Sequence, residues 1–445
     1  MEEIVSLYPK RILNPTIEPE SNEEIFKNFY IEKQDKKILR ELAKLKAEYA
    51  ASDKNETTKQ LWKRLNSLND VRPLIWINEI PWHEMDINDE LKLVTQSHFS
   101  RYLEIILRRS LYYWRHLEVD NIIEATLPCY MIIKDKGVGI SRKEKTLKMD
   151  NISNISSVKF IQQIKNEDDL QRIKTPLVQY CKNETEKMHE SMLDTFGDIL
   201  NVEIKGVPGF WFAPWDDLVM LYGVQEVLTD LALRPEFIHK VMEKLTNCYL
   251  AQLEQYEDLN LLALNNSNFR IGSGGLGYID ELPQKDFDPN KIRTKDLWGC
   301  STAQIFSAVS PSMHLEFALN YEIQYMKRFG LNYYGCCEPL DIKMDILRQI
   351  PNLRKISMSP WVNLENGAEK IGKDFVFSYK PSPAIFVDED WHLKTVKKDL
   401  ENNLSKIREK NCVVEVIMKD ISTVRYKPQR LWEWSKIAME VAQNF

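Results

Sequence analysis

The sequence lacks the features of a membrane-spanning or secreted protein. No stretch approaches the roughly 20 apolar residues that are needed to cross a bilayer, and the opening Met1-Glu2-Glu3 is not a basic segment followed by an apolar one. An excess of positive charge is also absent, because the net charge at pH 7 is −6, which offers nucleic acids no general attraction. We therefore expect a cytoplasmic protein with no membrane or nucleic-acid partner.

Several familiar motifs are missing as well. The seven cysteines are an odd number in a chain without a recognisable leader, which argues against a disulfide scaffold. The chain has no Gly-x-Ser-x-Gly elbow and no His-Glu-x-x-His pair, which argues against a serine hydrolase and a zincin.

Short apolar runs alternate with segments of helical periodicity along most of the chain. Several runs end in polar residues, as expected of buried parallel strands whose carboxyl ends face a site. About eight such repeats predict an α/β fold, a (β/α)8 TIM barrel. The predicted strands span residues 73–79, 127–133, 202–206, 261–265, 303–309, 332–336, 354–358 and 374–378, with a further strand at 412–417. Helices are predicted at 219–233, 236–256 and 312–329.

Two regions fall outside this alternation. Residues 1–70 are polar and carry helical spacing, which predicts an N-terminal helical extension to a barrel at 71–445. Residues 134–201 are charged and too long for an ordinary connection, so they are expected to form an insertion or lid over the barrel mouth.

The strongest candidate for chemistry is His314-x-Glu316 followed by Cys336-Cys337-Glu338. Ser310 and Pro311 suit the N-cap and first position of a helix that would carry the first pair, and the cysteines end a predicted strand. Thiolate, carboxylate and imidazole groups that converge at a barrel mouth would suit zinc, and a catalytic zinc keeps one coordination position open.

Other readings of the cysteines stay open. The pair could pack as small hydrophobic residues, with His314 and Glu316 on a solvated helix face, or it could form a strained disulfide that acts as a redox switch. Neighbours on a strand point in opposite directions, so we expect only one thiol to bind the metal. Cys337 is preferred, and a shift of one residue in register would select Cys336.

Further candidates follow other predicted strands. The aromatic segment 209–217 could line a pocket with Trp211 and Trp215 and orient a ligand with Asp217, or it could simply pack on the barrel rim. The glycine-rich segment 270–277 matches neither the dinucleotide fingerprint nor the P-loop and is expected to be a flexible active-site loop. The remaining strand-end candidates are Asn78, Glu79, Asn265 and Lys380.

Two motifs, at residues 310–317 and 334–340, resemble the uroporphyrinogen decarboxylase superfamily, and most of all its uroporphyrinogen-decarboxylase-like subgroup. Trp298-Gly299, the segment 356–361 and Lys380-Pro381-Ser382-Pro383 add to the likeness. The resemblance runs from about Val71 to the C-terminus and is strongest at 296–385. It implies a (β/α)8 barrel and one of two activities, tetrapyrrole decarboxylation or zinc-dependent methyl transfer that serves corrinoid proteins.

The chain departs from both patterns. The decarboxylases carry Arg-Gln-Ala-Gly-Arg after the first strand, and residues 76–83 here lack those arginines. The methyltransferases that act on coenzyme M use a His-x-Cys pair and a later cysteine, but Tyr334 or Gly335 stands in place of the histidine and no cysteine lies near Ser378. The interval from Glu316 to Cys337 is similar to that of O-demethylase methyltransferases, which hold zinc with a glutamate-rich ligand set.

The resemblance therefore implies a zinc-dependent methyltransferase that moves a methyl group from a small methylated compound, a methyl ether or methylamine, to a corrinoid (cobalamin) on a partner protein. A homodimer is possible. A decarboxylating lyase and a non-catalytic ligand-binding barrel are the alternatives. The metal ligands would come from Glu316, Cys337, Cys336 and His314; the catalytic candidates are Glu338, Lys380, Asn78 and Glu79; the substrate contacts are Trp211, Trp215, Asp217, Asn265 and Trp361.

Overall fold

The computed structural model describes residues 5–6, 23–148 and 156–445. It shows a mixed α/β fold with a mostly parallel central sheet. None of the helices in these residues is long and apolar enough to cross a membrane.

The strands are β1 Val5–Ser6, β2 Leu74–Ile77, β3 Thr126–Tyr130, β4 Ile133–Asp135, β5 Glu144–Lys148, β6 Ser156–Phe160, β7 Val178–Tyr180, β8 Asn201–Lys205, β9 Trp298–Ser301, β10 Leu331–Tyr334, β11 Leu353–Met358, β12 Val376–Tyr379 and β13 Val413–Met418. The α-helices are α1 Lys33–Ala50, α2 Asp53–Asn66, α3 His98–His116, α4 Lys182–Phe196, α5 Pro214–Tyr222, α6 Val224–Leu233, α7 Pro235–Asp258, α8 Pro311–His314, α9 Asn320–Met326, α10 Met344–Leu347, α11 Leu364–Ile371, α12 Leu393–Arg408 and α13 Gln429–Gln443.

The central sheet has the order β2-β13-β12-β11-β10-β9, and all of its neighbouring strands are parallel. A second parallel pair joins β3 to β8, and single parallel bridges link Val207 to Leu262 and Phe212 to Ser301. In the described part of the chain, no ladder closes the sheet on itself. The predicted barrel is thus confirmed only as a mixed α/β fold with a mostly parallel sheet.

One face of the central sheet is covered by helices. Alternate residues of the strands, such as Ile75, Ile356 and Val414, are buried there with Leu404 of α12 and Trp434 of α13. Each fully buried aliphatic side chain of this kind stabilises the fold by about 1.5–3 kcal/mol. The strands are apolar on this face because helices exclude water from it.

The glycine-rich segment 270–277 covers the opposite face. Apart from Arg270 this segment is buried, and Ser273 Oγ lies 3.0 Å from Tyr333 Oη of β10. Gly272 has a φ of +57°, and a Cβ there would collide with the Tyr333 ring. Gly275 has no room for a side chain beside Trp62 of α2. The expectation of a flexible active-site loop is therefore wrong, since these glycines allow close packing against the sheet.

Three predicted elements differ from the structure. Residues 261–265 do not form a strand and contribute only a single bridge at Leu262. Residues 303–309 do not form a strand, because Gln304–Ala308 is a 3-10 helix and the strand is Trp298–Ser301. The Asn265 amide bonds both the N–H and the C=O of Trp298, at 2.9 Å each, and so holds that strand in place. The helix predicted at 219–233 is broken into α5 and α6 at Gly223, which has a φ of +96° that favours glycine.

The predicted outer regions have their own structure. Helices α1 and α2 agree with the helical extension at 1–70, of which residues 1–4 and 7–22 lie outside the described residues. In the region 134–201, β4 pairs with β1 and β7, β5 pairs with β6, and α4 follows, while residues 149–155 lie outside the description. The role of this region as a lid stays a prediction.

Candidate functional site at the carboxyl edge of the sheet

Five polar side chains meet where β2, β10 and β13 end. Glu79 follows β2, Cys336 and Cys337 follow β10, and Lys419 and Asp420 follow β13. We call these five residues the edge cluster. Because parallel strands present their carboxyl ends at one edge, residues far apart in sequence are brought together there.

The Lys419 ammonium lies at the centre of the edge cluster. Its Nζ is 3.4 Å from Cys336 Sγ and 3.5 Å from Cys337 Sγ. The same atom lies 2.6 Å from Asp420 Oδ2 and 3.6 Å from Glu79 Oε2. Lys419 is buried, whereas Glu79 and Asp420 are partly exposed. The cluster is thus open to solvent on its acidic side.

The two cysteine thiols point the same way. Their Sγ atoms are 3.5 Å apart, and Cys337 Sγ lies 3.4 Å from Asp420 Oδ2. We expected neighbouring side chains to point apart, which is wrong here because β10 ends at Tyr334 and Gly335, with a φ of +95°, turns the chain. The alternation of a strand does not apply beyond its last residue.

The backbone of the cysteine loop is held by Glu338, a catalytic candidate. This carboxylate is fully buried and accepts hydrogen bonds from Cys336 N at 2.8 Å and Thr302 Oγ1 at 2.7 Å. Ser357 of β11 donates to the Cys336 carbonyl at 2.6 Å. Glu338 therefore holds the backbone that carries the thiols, and its carboxylate oxygens accept hydrogen bonds from groups inside the protein.

The thiols have different acidities. The hydrogen bond from Cys336 lowers the pKa of Cys337, and the charge of Lys419 adds to this effect. The same hydrogen bond, together with burial, raises the pKa of Cys336 well above its ordinary value. Burial alone would lower the pKa of Lys419, but the nearby thiols and carboxylates raise it. Of the two thiols, Cys337 is therefore the more acidic, and it lies beside the Lys419 ammonium.

Two further cations lie close to the cluster. Arg270 Nη1 is 3.4 Å from Glu79 Oε1, and Glu79 Oε2 accepts from the backbone N–H of Asp420. Lys380 is buried and donates to Tyr333 Oη at 2.8 Å. Burial, together with the charge of Lys419, lowers the pKa of Lys380 to about 8. Of the strand-end candidates, Glu79 belongs to the cluster and Lys380 lies beneath it.

The predicted ligands His314 and Glu316 are not in this cluster. His314 is fully buried, with Nε2 at 2.7 Å from Tyr334 Oη and Nδ1 at 3.1 Å from Lys343 Nζ. Burial lowers the pKa of His314 to about 3. Glu316 lies in a short π-helical turn, is about half exposed and pairs with His239 at 3.3 Å. Two residues apart on a helix differ by about 200° in direction, so one faces the core and the other faces solvent.

The donor atoms of the edge cluster suit zinc in their chemistry, since two thiols and the carboxylate of Asp420 are zinc-type ligands. Their arrangement is different. Among the described ranges, no group of three or more His, Cys, Asp or Glu side chains is disposed to hold a metal ion. The Lys419 ammonium already neutralises the thiolate and the carboxylate. A metal would have to displace this cation from between the thiols.

Most predicted substrate contacts have structural partners. Trp215 is fully buried and donates to the Phe317 carbonyl, while Asn265 bonds β9 as described above. Trp211 is half-buried against the core beside Asp216, and Asp217 accepts from Tyr249 Oη at 3.3 Å. Trp361 is 78% exposed. Asn78 is buried, and its backbone N–H donates to the Met418 carbonyl.

Several polar residues near the site were missed. Lys419 and Asp420 lie two and three residues beyond the predicted strand 412–417, so their position after a strand end was a signal in the sequence. Glu322, whose pKa burial raises to about 8, carried no signal in the sequence. Asp216, whose pKa burial raises to about 6, lies in the segment 209–217, whose acidic residues were expected to orient a ligand. Glu322 accepts from Tyr334 Oη at 2.7 Å and so extends the buried chain that starts at Lys343 and His314.

A surface depression of about 480 Å³ lies elsewhere, beside Leu331 at the amino end of β10, with Glu281 and Asp286 in its wall. It opens at the opposite edge of the sheet from the cysteines. Its lining contains no thiol, imidazole or aromatic side chain. We therefore base the functional assignment on the edge cluster.

Comparison with known proteins gives little further information. No family model matches the chain, and no curated protein matches it. Among solved structures, the chain is similar to a methyltransferase from Methanosarcina mazei, with 11% sequence identity and a TM-score of 0.47. The alignment covers 87% of this chain and 98% of that one. A likeness at this level does not establish an activity.

Proposed function

We propose that this chain is a zinc-dependent methyltransferase that takes a methyl group from a small methylated compound, with its reacting centre at the edge cluster. The observation that carries the proposal is the pair of thiols beside Lys419 and Asp420 at the carboxyl edge of a parallel sheet. Active sites of barrel enzymes lie at this edge. The proposal also includes closure of the sheet into a (β/α)8 barrel, supported by the parallel bridges beyond β9.

The ligand set in this proposal differs from the one expected from sequence. Cys336, Cys337 and Asp420 would hold zinc once the Lys419 ammonium has left the point that their donor atoms surround, and Lys419 would retain its ion pair with Glu79. Zinc bound there would act as a Lewis acid for the oxygen or nitrogen that loses the methyl group.

The residues around the cluster have separate tasks. Glu338 and Ser357 hold the cysteine loop in position through the backbone of Cys336. Lys419 favours the ionised form of the Cys337 thiol, because an adjacent cation stabilises a thiolate. Arg270 orients Glu79, so that the acidic side of the cluster stays beside Lys419.

The acceptor would be a corrinoid carried by a partner protein. Four exposed apolar side chains lie in the segments that follow β10, β11, β12 and β13, namely Ile342, Trp361, Val387 and Tyr426. Exposed aromatic and aliphatic groups of this kind favour protein contacts. They would surround the open side of the site and support docking of such a partner.

Metal analysis and a transfer assay test the proposal. The wild-type chain should bind one zinc per chain and transfer methyl groups from a methyl ether or methylamine to reduced cobalamin. Cys337→Ser should lose the zinc and at least about 100-fold in rate. Cys412→Ser is the matched control, because this buried cysteine donates to the Ala368 carbonyl far from the cluster in sequence and in contacts.

Zinc-free wild-type protein, purified anaerobically with zinc supplied, would contradict the metal part of the proposal. If the chain binds zinc but transfers a methyl group from no donor, the result would indicate a non-catalytic ligand-binding barrel.

A decarboxylating lyase is the second candidate, and one observation favours it. The structure gathers three cations, Arg270, Lys380 and Lys419, where the sequence offered only two. Cations of this kind bind substrate carboxylates. Two of the three are already paired with Glu79, which weakens this reading. Release of CO2 from an acidic substrate by zinc-free protein would favour the lyase.

A further inference from the structure

The cysteine pair differs from every other cysteine in the chain. Cys129, Cys181, Cys248, Cys300 and Cys412 are buried, whereas Cys337 is partly exposed. Burial raises the pKa of Cys129, Cys300 and Cys412 to about 12 each. Burial shields these five thiols from reagents in solvent, whereas Cys337 is accessible and lies 3.5 Å from the Lys419 ammonium. Oxidation of cysteine follows accessibility and thiolate character.

The thiol of Cys336 lies next to that of Cys337. Cys336 is buried, with 6% of its surface exposed, and its Sγ lies 3.5 Å from that of Cys337. A reagent from solvent meets Cys337 first, and the product on Cys337 then meets Cys336. An accessible attacking thiol next to a protected resolving thiol is the arrangement that redox-sensing cysteines use.

We propose that Cys336 and Cys337 are a peroxide-sensitive modification site that forms a reversible disulfide between adjacent residues. The Cys337 thiolate attacks one oxygen of a hydroperoxide, an S–O bond forms, the O–O bond breaks and water or an alcohol leaves. The sulfur of Cys337 is thereby oxidised to a sulfenic acid. The Cys336 sulfur then attacks Cys337, an S–S bond forms and the sulfenic oxygen leaves as water. Two thiols are oxidised by two electrons, and the peroxide is reduced by two.

The bond should be easy to reverse. Adjacent α-carbons are about 3.8 Å apart across a trans peptide, shorter than the usual range of about 4.4–6.8 Å for disulfides. A disulfide between neighbours is strained, so a dithiol should reduce it readily. Lys419 has a positioning role here, since its Nζ holds both sulfur atoms on one side of the loop.

The disulfide would also control the function proposed above. Both thiols are consumed, so neither could bind a metal while the pair is oxidised. This consequence rests on the proposed function, whereas disulfide formation does not.

Mass spectrometry of the reduced, chelator-treated chain tests the inference. The tryptic peptide 329–343 contains both cysteines of the pair and no other. After brief exposure to hydrogen peroxide and alkylation, this peptide should lose two hydrogens and resist the alkylating reagent, and dithiothreitol should reverse both effects. The other five cysteines should react at least about tenfold more slowly.

Variants assign the two roles. Cys336→Ser should stop at a Cys337 sulfenic acid that dimedone traps, whereas Cys337→Ser should leave Cys336 in the thiol form. Cys412→Ser should behave as wild type, and circular dichroism checks that each variant is folded.

Three results would overturn the inference. They are equal oxidation of all seven cysteines, a disulfide between two chains, and a Cys337 sulfinic acid beside an alkylated Cys336. The mass readout is independent of methyl transfer, so a chain that forms the disulfide but transfers no methyl group would refute only the proposed function.

Discussion

Two lysines on the same sheet, Lys355 and Lys419, show how position decides what a charged pair does. Lys355 of β11 pairs with Glu415 of β13 at 2.8 Å, both side chains are fully buried, and the rings of Trp62 and Trp298 lie over the ammonium. Lys419 at the end of β13 contacts two thiols and two carboxylates, and of these four groups all but the Cys336 thiol are partly exposed. The first pair is enclosed within the protein, whereas the carboxylates of the second are partly exposed.

The physical difference is the surrounding medium. A charge pair in a water-free interior must have both partners, because a lone buried charge is strongly destabilising. At the carboxyl edge, Glu79 and Asp420 are partly exposed, so water can stabilise either carboxylate when it loses its contact with Lys419. The same residue types therefore contribute more to stability in the middle of the sheet than at its end.

Breaking the interior pair should have the largest effect on stability. Lys355→Met leaves Glu415 charged and buried, and the free energy of unfolding should fall by about 3–5 kcal/mol. Urea denaturation followed by circular dichroism measures this loss. The double variant Lys355→Met with Glu415→Leu should recover most of it, since neither charge remains. A single variant that loses less than about 1 kcal/mol would show that the pair is not enclosed.

The pH dependence of stability tests Lys380, which lies between the two regions. Its pKa is about 8 in the folded chain, below the ordinary value of 10.5. Between these values the unfolded chain binds a proton that the folded chain has released, so stability from this group rises with pH by up to about 1.4 kcal/mol per unit. The cost of the buried charge is fully present below pH 8.

Lys380→Met should lack that rise. Urea denaturation of both proteins from pH 7.5 to 10 measures their free energies of unfolding. The value for wild type minus the value for Lys380→Met should increase as the pH rises. Other lysines titrate in both proteins and cancel in the difference. Parallel curves would mean that Lys380 keeps its proton over this range.

Removing the edge lysine should cost far less than removing the interior one. Lys419→Met should lower the free energy of unfolding by about 1 kcal/mol or less, because Glu79 and Asp420 can be hydrated. The same variant should slow peroxide oxidation of Cys337, which the peptide assay above follows. If Lys419→Met lowers the free energy of unfolding as much as Lys355→Met does, the two lysines contribute equally to stability and their positions in the sheet do not matter.

The smallest effect on stability is expected at the exposed apolar residues that follow the strands, such as Trp361. Trp361 is 78% exposed, so Trp361→Ala should change the free energy of unfolding by less than about 0.5 kcal/mol. If these exposed residues bind the partner protein, this variant should weaken methyl transfer to a protein-bound corrinoid and leave methyl transfer to free cobalamin unchanged. Equal losses with both acceptors would indicate that Trp361 contacts the substrate, as the sequence suggested.

The sequence determined the alternation of strands and helices because burial on a parallel sheet leaves a local apolar pattern. Strands β2, β3, β8, β11 and β12 and the helix start at Ser310 were predicted within a few residues. It also determined that Cys337 lies at a strand end. The partners of Cys337 were not predictable from spacing, and neither was the parting of His314 from Glu316.

Only the tertiary structure decided which residues surround the thiols. Lys419 and Asp420 lie more than 80 residues away along the chain and meet Cys337 because β10 and β13 end at the same edge. It also decided that the segment 270–277 packs against the sheet and that the two thiols face each other, since both depend on where the chain turns after its last ladder hydrogen bond. Local pattern sets which residues are buried, whereas contacts between distant strand ends follow from the order of the strands in the sheet.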